Sequence, residues 1–507
     1  MDYKLYTGIW EVTMACNMRC LHCGSSCKDK LPDELTTEEA LKICDELGEL
    51  GVKYITLSGG EPTTRKDLPL LVKRLRENNV IPNMITNGWI LTEDLIQELV
   101  NSGIGTIAIS IDGLSETHDF IRREGSFARS MQAFDILHEY QVWTAAITTV
   151  NKKNIEELSA LKDVLVDHYV NSWQIQIGLP MGNLLENNHL VAEPSDVKKV
   201  VDFAYENMHD DRISITFGDC IGYYDFKSTQ VMRKAKGDES YIWSGCGAGK
   251  ASIGILHNGD IVGCTSIRDK EYIEGNIRDK SLKKIWTDEN SFLWNRSFKK
   301  DDLSGFCGKC RYGDLCLGGC SNTRLCMEGN LYQSNRYCLY YMAISKEKDN
   351  LKQYTDVNNL YLSAEQLINK RQFQLAQIIL ERALELDENN IKVLSTYGYV
   401  NYMLKNYPLA KQINEKILEL DNNNIYAYKG LGLTLNKLGN VPLALKYLYK
   451  AISLCDENYM LPYYDCAVTL IENNKRNEAI KVLEEAKAKS LRFFIEHNEI
   501  YELLGIA

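Results

Sequence analysis

The sequence predicts an α/β fold, a partial (β/α)6 barrel, followed by a cysteine-rich module and an all-α solenoid of helical repeats. Three observations predict it. Up to about residue 180, short β-rich runs alternate with helical patterns of about 10 to 15 residues, the signature of βαβ units around a parallel sheet. Of the 16 cysteines, 14 precede residue 340. After residue 351 the texture becomes helix upon helix, with a period of 34 residues. A chain of 507 residues exceeds what one core organises. Three units follow: residues 1–240, 241–350 and 351–507.

Taken in order, the six predicted strands are Tyr6-Val12, Tyr54-Ser58, Pro82-Thr86, Thr106-Ile111, Trp143-Val150 and Trp173-Leu179. Thr36 and Glu39 form a capping box for the helix after the first. In a TIM-like barrel, even an incomplete one, chemistry gathers at the C-terminal strand ends. The unusual residues lie there: CNMRCLHC after the first strand, SGGEP at the second, TNG at the third, SIDG at the fourth and IGLPMG at the sixth. Residues 181–240 read as helical. From Cys246 to Cys338, short Gly-rich segments show too little apolar periodicity for a core of their own, so metal ligation is expected to supply folding energy.

Composition excludes other classes. With 45% hydrophobic and 25% charged residues the chain reads as globular. No apolar run approaches the ~18 residues of a membrane span. The start lacks the pattern of a secretory signal, which predicts a cytoplasmic address. A net charge of -11 argues against nucleic acid as a partner. In a reducing compartment so many cysteines point to metal sites rather than disulfides.

Cys16, Cys20 and Cys23, spaced CxxxCxxC on one loop, can ligate three irons of a cubane cluster and leave the fourth iron open. Zinc is the alternative, with Cys27 as a fourth thiolate. With SGGEP after the second strand, the region from about Tyr6 to Leu179 resembles the radical SAM superfamily. That resemblance implies that S-adenosylmethionine (SAM) chelates the open iron and is cleaved reductively to a 5'-deoxyadenosyl radical. It further implies that Gly59, Gly60 and Glu61 meet the methionine ammonium, that Ser110 and Asp112 approach the ribose, and that Arg122 holds the carboxylate. His22 stands where the family often has an aromatic residue.

The run Cys246, Gly259, Cys264, Cys307, Cys310, Cys316, Cys320 and Cys338 resembles the SPASM module. The resemblance implies one 4Fe-4S cluster on Cys307, Cys310, Cys316 and Cys338 and another on Cys246, Cys264 and Cys320, hence three 4Fe-4S clusters in all. Cys220 and Cys326 are the nearby thiols for an eighth ligand; otherwise one iron stays open. Zinc ribbons are the alternative for the CxxC pair.

Ala376, Ala410 and Ala444 recur every 34 residues, as do Leu386, Leu420 and Leu454, which resembles tetratricopeptide (TPR) repeats. A fourth copy around Ala479 is one residue out of register. Enzymes with the radical SAM and SPASM pair typically modify peptides or proteins. The reading is therefore a maturase that installs a cross-link, thioether, epimerisation or oxidation in a ribosomally made precursor peptide. A ferredoxin- or flavodoxin-type protein is the expected electron donor. Only five residues precede the first strand, so leader recognition is expected to be absent or supplied otherwise, the repeats being the natural candidate, with Tyr397, Tyr399, Tyr402, Tyr426 and Tyr428 lining a groove. Sulfatase maturases carry an Asp where Thr265 stands, which weakens that reading. The alternatives are a folded-protein or small-metabolite substrate and a non-catalytic metal-bound scaffold.

Overall fold

The structure, a computed structural model, describes residues 3–218, 220–456 and 458–505. The chain divides into two compact units, Met1–Ala343 and Ile344–Ala507.

The first unit is built on one ten-stranded sheet. Its strands are β1 (Thr7–Thr13), β2 (Tyr54–Gly59), β3 (Ile81–Thr86), β4 (Thr106–Ser110), β5 (Trp143–Val150), β6 (Ser172–Ile177), β7 (Ser214–Phe217), β8 (Ser252–Ile255), β9 (Asp260–Val262) and β10 (Ile273–Asn276). They lie in the order β10-β9-β8-β1-β2-β3-β4-β5-β6-β7. Neighbours from β1 to β7 are parallel, and β8 is parallel to β1, while β9 and β10 return antiparallel. The sheet is open, with β10 and β7 at its edges, so no closed barrel forms among the described residues.

Strand pattern explains the parallel core. Trp10, Ile55, Leu57, Ile107, Ile109 and Trp173 are all buried on the sheet, and Ile43, Leu47, Leu71, Leu75 and Phe134 cover them from the helices. The helix Thr37–Glu49 starts at the expected capping box, with Thr36 and Glu39 each bonding the other's main-chain N–H. Two features differ from expectation. β7 falls in a stretch that reads as helical, because a four-residue strand has too few positions to show a period of two. The Gly-rich cysteine segment carries β8, β9 and β10, and its Ile253, Ile255, Ile261 and Ile285 join the same core as the parallel strands. That segment therefore shares the sheet's core rather than lacking one.

The second unit is a run of antiparallel helix pairs. First helices start at Val357, Ile391 and Ile425, and second helices at Phe373, Tyr407 and Val441, each 34 residues on from the one before. A fourth pair, Leu461–Glu472 and Arg476–Lys489, starts late. Ala376, Ala410, Ala444 and Ala479 are fully buried where helices touch, whereas Leu386 and Leu420 are exposed at helix ends. Among the described residues no helix is long and apolar enough to cross a membrane.

Candidate active site

Because the strands from β1 to β6 run parallel, their C-terminal ends share one rim, and the unusual motifs converge there. The loop after β1 carries Cys16, Cys20 and Cys23 and is pinned by donors from several elements. Arg19 Nη1 bonds Cys16 O at 2.7 Å and Met18 O at 2.8 Å, and Arg123 Nη1 bonds Asn17 O at 3.0 Å. From the turn after β6, Asn183 bonds Cys20 O and Cys23 O, both at 2.9 Å, and Asn187 bonds Leu21 O at 3.2 Å. Gly182 makes this approach possible: a Cβ there would stand 2.6 Å from both Cys23 O and Gly24 O.

The three thiols lie within electrostatic reach of one another. Burial pushes Cys16 up, and Cys20 up to about 11. A hydrogen bond with the buried Cys27 thiol pulls Cys23 down, to about 5. Cys27 thus touches Cys23 from behind.

The GGEP residues join the second strand to the cysteine loop and to the third strand. A Cβ on Gly60 would stand 2.2 Å from Ala15 O, so its glycine lets β2 close on the backbone of the cysteine loop. Glu61 is fully buried. Its Oε1 accepts from Thr63 N (3.1 Å), Thr63 Oγ1 (2.6 Å) and Thr86 Oγ1 (2.7 Å), and its Oε2 accepts from Asn87 N at 2.7 Å. Burial raises the carboxyl's pKa against the pull of these donors. These bonds knot SGGEP to TNG. Asn87, held by that knot, reaches Asn17 Oδ1 at 2.7 Å and Cys16 Sγ at 4.0 Å.

Asp112 and Arg122 also reach the loop, but their charges face each other. Asp112 Oδ2 accepts from Arg122 Nε at 2.5 Å and bonds His22 Nε2 at 2.7 Å, while Oδ1 accepts from Thr149 N at 2.8 Å. Burial works to raise the Asp112 carboxyl, yet Arg122 and His22 outweigh it and hold it well below the usual carboxylate range. Arg122 Nη1 lies 4.0 Å from Cys20 Sγ. Asp112 and Arg122 thus form an ion pair beside the thiols. Ser110, half-buried at the end of β4, stays open on the rim.

The second cysteine field divides into two groups. Cys307, Cys310, Cys316 and Cys338 line one cavity together with Tyr223, Tyr224, Tyr312 and Tyr340. Cys320 is absent from it and lies instead within the electrostatic reach of Cys246, Cys220 and Cys264. Cys220 Sγ accepts from Ile177 N at 3.3 Å, at the end of β6. Cys326 neighbours Cys264 and bonds Asn322 Oδ1 at 3.4 Å. Burial raises Cys310 and Cys316, and Cys338 up to about 12. Among the described residues no three His, Cys, Asp or Glu side chains close on a single ion. A set of thiols around a cavity can hold a cubane, whose irons each take one thiolate.

Comparison with known proteins agrees with this donor chemistry. Residues 10–165 match the radical SAM superfamily, and residues 246–311 match SPASM, an iron-sulfur cluster-binding domain. This chain is a radical SAM enzyme with a SPASM domain. Such an enzyme uses SAM and iron-sulfur clusters. It is similar to the AdoMet-dependent heme synthase of Methanosarcina barkeri, 28% identical over 342 residues that cover 65% of this chain and 95% of that protein. It is also similar to the mycofactocin maturase MftC of Mycolicibacterium smegmatis, 28% identical over 329 residues, 61% of this chain and 76% of that one. In fold it resembles Streptococcus suis SuiB bound to S-adenosylmethionine (TM-score 0.53, 17% identity, covering 66% of this chain and 78% of SuiB). It resembles anSMEcpe with bound AdoMet equally (TM-score 0.53, 20% identity, 67% and 95%).

Sequence reasoning missed residues that shape this radical SAM site. Asn183 and Asn187 follow IGLPMG, and their side-chain amides were the available signal. Arg268 bonds Glu11 Oε1 at 2.7 Å and Ser25 Oγ at 3.0 Å, tying the SPASM segment to the first loop. Nothing in its local sequence marks it.

Proposed function

We propose that this enzyme is a peptide maturase: it generates a 5'-deoxyadenosyl radical from SAM and modifies a ribosomally made peptide recruited by its repeats. Cys16, Cys20 and Cys23 would hold the cluster that binds SAM. Cys307, Cys310, Cys316 and Cys338 would hold one auxiliary cluster, and Cys246, Cys264 and Cys320 another. The bound clusters supply the electron that cleaves SAM and a path for electrons leaving an oxidised substrate. The chain's own residues fix the loop, bury the thiols and leave the parallel strand ends facing the substrate, as in a partial barrel.

The observation that carries the peptide reading is the groove of the second unit. A cavity of about 1240 Å3 is lined by Tyr361, Tyr399, Tyr402 and Tyr426 together with Asn414, Asn424 and Asn436. Aromatic and amide side chains in one groove suit an extended chain, whose side chains stack and whose main chain needs donors and acceptors, as expected of a TPR solenoid. Tyr397 and Tyr428 do not line it; Tyr397 bonds Glu381 and Tyr428 bonds Asn422 O. SuiB, similar in fold, has been crystallised with its precursor peptide SuiA.

The test is anaerobic reduction of the iron-loaded enzyme with SAM and a short synthetic peptide containing cysteine and aromatic residues. Formation of 5'-deoxyadenosine with loss of two hydrogens from the peptide indicates a cross-link. An unchanged mass with one deuteron from solvent indicates epimerisation. Failure to form 5'-deoxyadenosine removes the reading. A small-molecule substrate is the second reading, favoured by the likeness to proteins named AdoMet-dependent heme synthase and Fe-coproporphyrin III synthase. Turnover of an iron porphyrinoid with no dependence on the peptide would select it.

A further inference from the structure

The outer face of the cysteine loop is basic in a chain whose net charge is -11. In the segments 15–30 and 119–130 the exposed charged side chains are Arg19, Lys28, Lys30, Arg123 and Arg129 against Asp29 and Glu124. Half-buried Asp119 is occupied by the main-chain N–H groups of Gly125 and Phe127. Arg19 has one carboxylate neighbour, Asp29 at 3.9 Å, and that pair is exposed. The cations are fixed as well as clustered. Arg19 and Arg123 bond the carbonyls of Cys16, Asn17 and Met18, and Cys16 N bonds Lys28 O at 3.0 Å. Arg123 and Arg129 stand with Cζ 3.9 and 4.0 Å from the Trp89 ring centroid. Both guanidinium groups thus pack on one indole.

We propose that this arginine-lined face is the docking surface for an acidic one-electron carrier protein that reduces the cluster held by Cys16, Cys20 and Cys23. The inference rests on the radical SAM reading of that loop. Arg19 and Arg123 bond the main chain between Cys16 and Cys20, so a protein resting on them sits beside the loop that carries the thiols. A positive patch on an acidic protein selects an acidic partner by charge, and orients it, while repelling it from the rest of the surface. In the step itself the reduced carrier loses one electron and the cluster gains it; no atom is transferred.

The test uses the iron-loaded full chain and a reduced acidic ferredoxin, with bleaching of the iron-sulfur absorbance followed by stopped flow. The second-order rate with ferredoxin is expected to fall about tenfold or more between about 50 and about 500 mM salt. It should fall similarly in the double variant Lys30→Glu, Arg129→Glu, neither of whose side chains bonds the cysteine loop. Bleaching by dithionite, a small reductant, should change less than about threefold in both comparisons. Carbodiimide, which joins carboxylates to amines in contact, should link ferredoxin to Lys28 or Lys30. A ferredoxin rate indifferent to salt and to the double variant overturns the docking surface, as do cross-links confined to lysines elsewhere. Dithionite bleaching of the unaltered enzyme keeps the two failures apart, since its absence would remove the reducible cluster itself.

Discussion

Glu61→Gln tests what the GGEP carboxylate does. Each Glu61 oxygen accepts a main-chain N–H: Oε1 from Thr63 at 3.1 Å and Oε2 from Asn87 at 2.7 Å. A hydroxyl could rotate to suit an amide, but a main-chain N–H cannot. Whichever way the glutamine amide turns, its NH2 group meets one of these N–H groups as donor against donor. One charge-assisted bond is lost and one buried N–H is left unsatisfied, a cost of about 2 to 5 kcal/mol. The residue is fully buried, so water does not restore the bond. Thermal unfolding of the full chain should show a lower first transition, and hydrogen exchange should rise in peptides spanning 59–64 and 86–89. The reasoning is refuted by a variant that melts unchanged but binds SAM more than about tenfold more weakly, about 1.4 kcal/mol. That outcome would return Glu61 to the ammonium-binding role implied by the sequence.

Acid stability should report on His118. Burial and the nearby Arg122 push His118 down to about 4 from 6.5, and its Nδ1 accepts from Asp112 N at 3.1 Å. The unfolded chain takes up this proton below about 6.5, the folded one only near 4, so the contribution is complete above 6.5 and is lost as pH falls toward 4, by roughly 3 kcal/mol. His118→Asn should flatten the melting temperature across that window, and an unchanged slope would count against the assignment. At the auxiliary site, Cys320 is neighboured by Cys246, Cys220 and Cys264. Cys220→Ala should therefore open an iron and alter the Mössbauer and electron paramagnetic resonance spectra, whereas Cys326→Ala should not; the reverse result would reassign the eighth ligand. In the groove, Tyr399→Ala combined with Tyr426→Ala should weaken binding of a labelled peptide about tenfold by anisotropy, while Tyr428→Ala should not. An equal effect of Tyr428→Ala would remove the groove as the binding surface.

The legible parts of the fold were those with a long local signal. Trp143–Val150 stands as expected, and the other five expected strands lie within two residues of their observed ends, because each is a β-rich run closed by a motif. The helix pairs were legible from a period repeated along the chain. What escaped were short strands whose only reason to be extended is a distant partner: β8 pairs with β1 across more than two hundred residues of sequence. At the site, residue types were legible and partnerships were not. Asp112, Arg122 and Glu61 all stand at the thiol loop, yet a motif does not say whether a charge faces a ligand or a neighbour. Arg122 is ten residues from Asp112, and their pairing depends on where the helix Ser115–Ile121 ends.

Pinning changes what it costs to order the three thiols of the first loop. Ordering a free peptide segment costs about 1 to 2 kcal/mol per residue, and a loop shaped only by its metal must lose that entropy each time the metal returns. Here Arg19, Arg123, Asn183 and Asn187 hold the carbonyls around Cys16, Cys20 and Cys23 from four sides with protein donors alone. Part of that ordering is supplied by the chain itself, so the three thiols are presented by a frame rather than by a slack strand.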